Sequence, residues 1–250
     1  LMHASKCVSF YPQYGGNRWL KESIFVFKES DNTVPAENQV SANKHICGIG
    51  IGNPRILFLG NSVTLHAPLH AIGWNHNWGM AASDISRDYV HVCMRRIQEK
   101  YPAASWRIGQ LADWERNFWK DEEVLKDFSD LRNWRPDFVF CTILGANTPA
   151  EAIANHDFGA HYQKMLRFFD PESHARLVIT TMFWRSPEKD AIIRRVAGET
   201  GAVLVEMGDL GDTDAMMAVG LFEHNGVAHH PGDKGMEVIA DRLLEAAKIL

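Results

Sequence analysis

A three-layer α/β/α sandwich around a five-stranded parallel sheet of flavodoxin-like order is the fold this sequence predicts. Three observations point to it. Short, near-continuously apolar runs recur between residues 56 and 207, as strands covered on both faces require. Amphipathic helical stretches separate them, which implies repeated β-α units with right-handed crossovers. Five strands suit an open doubly wound sheet, since a β/α barrel needs eight.

The elements follow in order. The first strand is "ILFLG" at 56–60, and after it Ile85, Tyr89, Val92 and Ile97 form one apolar helical stripe. A weaker strand, "SWRIGQ", covers 105–110, followed by "DFVFCTIL" at 137–144, "RLVITTMF" at 176–183 and "AVLVEM" at 202–207. The closing helix is the plainest signal. Met236, Ile239, Ala240, Leu243, Leu244 and Ala247 share one face, while Glu237, Asp241, Arg242, Glu245 and Lys248 take the other. Residues 52–250 thus form the main domain. Residues 1–51, with turn signals and one strand candidate at 24–28, read as an N-terminal extension packing on it.

Composition narrows the function classes. A chain of 250 residues that is 46% hydrophobic has material for a substantial core. With a formal net charge of -5 and no basic cluster, nothing advertises nucleic acid. The apolar runs are too short to span a bilayer, so no membrane partner is expected. The opening "LMHASKCVSF" lacks the regions of a secretory signal, and the expected compartment leans to the cytoplasm. Cys7, Cys47, Cys93 and Cys141 include no C-x-x-C pair, which leaves zinc and thioredoxin chemistry unsupported.

In open parallel sheets, ligands sit beyond the carboxyl ends of the strands. That rim collects Gly60-Asn61-Ser62 after the first strand and Gly145-Ala146-Asn147 after the third. It also collects Trp184 and Arg185 after the fourth, and "HNGVAHHPGDKG" after the fifth. "GIGIG" at 48–52 precedes a strand, whereas phosphate-binding glycines follow one and open a helix. His66, His70 and His76 lie close in sequence, but without a carboxylate or cysteine at ligand spacing they read as loop histidines. No metal and no organic cofactor is expected.

Four segments, in order, resemble the blocks of the SGNH (GDSL-like) hydrolases. "GNSVT" resembles the first, with Asn61 where aspartate is usual, and "NWGMAAS" resembles the second. "GAN" at 145–147 resembles the third, and "HPGDKGMEVIADRL" the last. The resemblance covers residues 54–250. It implies that Ser62 is a nucleophile activated by His230. It also implies an oxyanion hole made from the backbone N–H groups of Ser62 and Gly79 and the side-chain amide of Asn147. The physics fits, because serine needs a base to take its proton and a tetrahedral intermediate needs preorganised donors. The usual aspartate three residues before the histidine is absent, and Val227 stands there. Glu223 is the expected acid, with Asp209 or a backbone carbonyl as alternatives for orienting the imidazole. Trp78, Trp184 and Asn61 are expected to bind substrate. The implied activity is hydrolysis of a small acyl ester, with acetyl on a carbohydrate favoured. The alternatives are a lipid esterase, a thioesterase, or a non-catalytic binding module on the same scaffold.

Overall fold

A computed structural model describes residues 45–47 and 52–250. The strand candidate at 24–28, and most of the expected extension, lie outside the described residues. The sheet has six strands in the order β1-β3-β2-β4-β5-β6, namely β1 (His45–Cys47), β2 (Gly52–Gly60), β3 (Ala104–Gln110), β4 (Phe138–Cys141), β5 (Arg176–Thr180) and β6 (Val203–Val205). From β2 to β6 all pairings are parallel, in the flavodoxin-like order that the alternating pattern implies. The sixth strand was not expected. β1 pairs antiparallel with β3, so residues 45–47, inside the expected extension, join the sheet edge.

Five helices carry most of the cover: α1 (Tyr89–Lys100), α2 (Ala112–Asn117), α3 (Phe158–Phe169), α4 (Pro187–Thr200) and α5 (Asp233–Ala247). α1 packs against α5 and α3 against α4, giving the two outer layers. Each start has a local cause. The Asp88 carboxylate accepts from His91 N–H at 2.8 Å and caps α1. Asp157 does the same for α3 through Ala160 N–H, and Pro187 opens α4. The stripe expected on the last helix is the buried face of α5: Met236, Ile239, Ala240, Leu243, Leu244 and Ala247 are all buried.

The core runs through the sheet centre, where Ile56, Leu57, Phe58 and Leu59 of β2 are fully buried. Burial of each such side chain contributes about 1.5–3 kcal/mol relative to exposure. A second, smaller cluster of Trp74, Met80, Ala81, Ala218 and Val227 lies apart from it. It joins the loop after β2 to the loop before α5. No helix among the described residues is long and apolar enough to cross a membrane. The order of strands puts the carboxyl ends of β2 and β4 side by side at the point where the winding reverses.

Candidate active site

β2 delivers the chain to Gly60, and a tight turn follows. Thr64 N–H and Leu65 N–H both donate to the Asn61 carbonyl, at 2.9 and 3.0 Å. A Cβ on Gly60 would lie 1.9 Å from Thr64 Oγ1, so only glycine permits this turn. The turn raises Ser62 to the rim, half-buried, with Oγ 2.8 Å from His230 Nε2. These two residues are 168 positions apart in sequence.

The histidine arrives from the other end of the chain. A single helical turn at Asn225–Ala228 places the Gly226 carbonyl four residues before His230. The ring folds back on it, with Nδ1 2.6 Å from Gly226 O. A carbonyl only accepts, so Nδ1 carries the hydrogen and Nε2 presents its lone pair to Ser62. The same geometry recurs one residue earlier, with His229 Nδ1 2.8 Å from Asn225 O. The loop is then locked by Ala218 N–H donating to His230 O and Gly232 N–H donating to Met216 O, both at 3.0 Å.

This corrects the expected acid. Glu223 is exposed and makes no hydrogen bond to the ring, whose Nδ1 is already engaged by Gly226. Asp209 is held by Arg242 at 2.6 Å. Of the orienting groups considered from sequence, the backbone carbonyl is the one found at the imidazole. The physical reason is visible at Val227, which is fully buried in the cluster with Trp74 and Met80. A carboxylate there would sit among apolar groups. Burial pushes the His230 imidazole down to about 4; the Gly226 bond opposes this, and His66 and His224 nearby add to it. The ring is therefore neutral, and able to accept a proton, throughout the physiological range.

The loop after β4 forms the facing wall. Ile143 has φ of +56°, a left-handed conformation that costs a β-branched residue about 1–3 kcal/mol. It is held there from both sides. Its N–H donates to Thr180 Oγ1 at 2.8 Å, and its carbonyl accepts from Asn61 Nδ2 at 2.9 Å. Gly145, at φ +125°, then turns the chain so that Asn147 comes to the rim half-buried.

Beneath these loops lies a residue that the sequence reading missed. Glu115, on α2, is fully buried. Its Oε1 accepts from Asn61 Nδ2 at 3.0 Å and Gly145 N–H at 2.6 Å, and its Oε2 from Asn147 Nδ2 at 2.5 Å. Burial raises its carboxyl above the ordinary carboxylate range, against the lowering effect of these donors. The signal was available. Glu115 lies in "LADWERN", directly after the second strand, where the same rule for open parallel sheets places rim residues.

The remaining expected residues fall into two groups. The Ser62 backbone N–H has no protein acceptor among the described residues, and one hydrogen of Asn147 Nδ2 is likewise unengaged. Gly79 differs. Its N–H is directed at the buried Asp88 carboxylate, 3.3 Å away, because the same acid that caps α1 also faces this loop. Glycine is needed there for another reason, since a Cβ would lie 2.5 Å from Val63 O. Asn61, expected to contact substrate, is 1% exposed and serves the loop beneath instead. Trp78 stacks on His76 at 4.2 Å and donates its indole N–H to Ala82 O. Trp184 donates to His229 O and sets its ring edge-on to His230 at 5.5 Å. Arg185 is paired with Asp212. His66 and His70 are bonded to Ala67 O and Asn75 Oδ1.

No family model matches the sequence, and no curated protein matches it. Solved structures do. One, assigned as a GDSL-like lipase from Parabacteroides merdae ATCC 43184, superposes with a TM-score of 0.53 at 15% identity, over 78% of this chain and 96% of that one. Another, a two-domain esterase active on acetylated mannans, gives 0.50 at 16% identity over 78% of this chain. The chain covers 48% of that second protein's length. The chain therefore has the fold of the GDSL-like hydrolases.

Proposed function

We propose that this protein is a serine esterase acting on small acyl esters, with acetyl groups on carbohydrate as the favoured substrate. The observation that carries the reading is the 2.8 Å approach of Ser62 Oγ to an imidazole nitrogen whose tautomer is fixed by the Gly226 carbonyl. Ser62 Oγ attacks the ester carbonyl carbon while its proton passes to His230 Nε2. The carbonyl π pair moves onto oxygen, where the Ser62 N–H and Asn147 Nδ2 donate to the oxyanion. His230 then returns the proton to the leaving alcohol as the C–O bond breaks. Water, deprotonated by the same nitrogen, cleaves the acyl-serine in the reverse sense. Two donors rather than three serve the oxyanion in this account, because Gly79 N–H faces Asp88.

The fold supports the reaction class, and the likeness to an esterase active on acetylated mannans supports the substrate class. The Trp184 ring, held edge-on beside His230, offers an aromatic surface that suits the apolar face of a sugar ring. The test is hydrolysis of p-nitrophenyl acetate and of acetylated mannooligosaccharide by wild type, Ser62→Ala and His230→Ala. Turnover of both substrates by wild type is expected, with kcat lowered at least about 10³-fold in either variant. Equal rates in all three proteins would place the chemistry elsewhere.

A further inference from the structure

Glu115 contacts neither the nucleophile nor the base, yet it is the most buried charge-bearing group at the rim. Its partners explain its place. A carboxylate only accepts, so every group against it must be a donor. Asn147 could present either end of its amide to the loop interior. Facing a carboxylate it can present only Nδ2, which leaves that nitrogen's second hydrogen for the rim and keeps Oδ1 from taking its place. The Gly145 N–H on the same carboxylate fixes the start of the turn that carries Asn147.

A second group holds the turn from its other side. Lys189, on α4, donates from Nζ to Gly145 O at 2.7 Å and to Thr148 O at 3.0 Å. Gly145 is thereby gripped at its N–H by an acid and at its carbonyl by a base. The left-handed Ile143 just before it marks a backbone that does not adopt this shape unaided.

We propose that Glu115 and Lys189 are positioning residues that clamp the 145–148 turn, and that Glu115 sets the amide of Asn147 in its donor orientation. The inference rests on the esterase reading above, in which Asn147 stabilises the oxyanion. An amide at position 115 matches the carboxylate in shape but must turn an NH2 toward one of the present donors. The relief open to it is to flip Asn147, which swaps a donor for an acceptor where negative charge develops.

The test is a double-mutant cycle on p-nitrophenyl acetate hydrolysis, using wild type, Glu115→Gln, Asn147→Ala and the double variant, each confirmed folded by circular dichroism. Glu115→Gln is expected to lower kcat about tenfold or more with KM changed less than about twofold, the pattern of lost transition-state binding. In the Asn147→Ala background the same change is expected to cost less than about twofold, because its effect runs through Asn147. An undiminished kcat in Glu115→Gln, or an equal loss with and without Asn147, would overturn the inference while leaving the esterase reading intact. Wild type no faster than Ser62→Ala would instead overturn the esterase reading, and the inference with it. If Glu115→Gln does not fold, Lys189→Met loosens the same turn from outside. It is then expected to lower kcat at least about threefold, again without further effect in Asn147→Ala, and the same two contrary outcomes apply.

Discussion

The two halves of the candidate site are held by opposite kinds of chemistry. On the Ser62 and Asn147 side, a buried carboxylate gathers Asn61, Gly145 and Asn147, and the loops are defined by polar contacts. On the His230 side, Trp74, Met80, Ala81, Ala218 and Val227 pack into an apolar cluster, and the group fixing the imidazole's Nδ1 among the described residues is a backbone carbonyl. The difference shows where each half carries its electrostatic demand. In the proposed reaction the Asn147 wall needs one amide in one orientation, which a carboxylate can enforce. The histidine needs one tautomer, which any acceptor can enforce, so the position three residues before it is free to be hydrophobic. A carbonyl stabilises imidazolium less well than a carboxylate does.

That contrast can be broken most forcefully at Val227. Val227→Asp inserts a carboxylate into the apolar cluster, and a loss of about 3–5 kcal/mol in unfolding free energy is expected by urea titration. No gain in kcat should accompany it, because Nδ1 already donates to Gly226. A faster, equally stable variant would mean that the histidine half wants an acid after all. At the small end, Glu223→Ala sharpens the comparison from the opposite direction. Glu223 is exposed and Nδ1 of the ring is engaged by Gly226, so kcat on p-nitrophenyl acetate should stay within about twofold of wild type. A tenfold loss would restore it as the acid.

Most of the fold was legible because it follows from periodicity. The apolar runs gave the five parallel strands, and the α5 stripe matched residue for residue. The edge strand at His45–Cys47 was not legible, since three residues are too few to carry a period. Ordered motifs on the rim single out Ser62, His230 and Asn147 as candidates, and the structure brings the first two to hydrogen-bonding distance. The resemblance marks Gly79 as an oxyanion donor; neither its packing against Val63 O nor the Asp88 carboxylate facing its N–H was legible, because Asp88 announces itself only as a helix cap. Glu115 and the Gly226 carbonyl escaped for different reasons. Glu115 shares its short helix with Asp113 and follows the second strand, whose end carries no motif to single it out, and the Gly226 carbonyl is a main-chain atom that no side-chain pattern marks.

Burial lowers the His230 pKa below its unfolded value, so folding favours the neutral ring. Its contribution to stability is full above about pH 6.5 and is lost as the pH falls through the folded value of about 4. In the proposed reaction the same shift governs reactivity, since only neutral imidazole can take the Ser62 proton. The most direct measurement is the rate of Ser62 phosphonylation by a fluorophosphonate across pH 3–9, read by mass spectrometry in wild type and His230→Ala. The expected result is modification at Ser62 that rises with pH to a plateau, with its midpoint near 4 and not near 6.5, and that is lost in His230→Ala. Modification at another residue, or at Ser62 with the same rate when His230 is absent, would contradict the Ser62–His230 pair as the reacting centre.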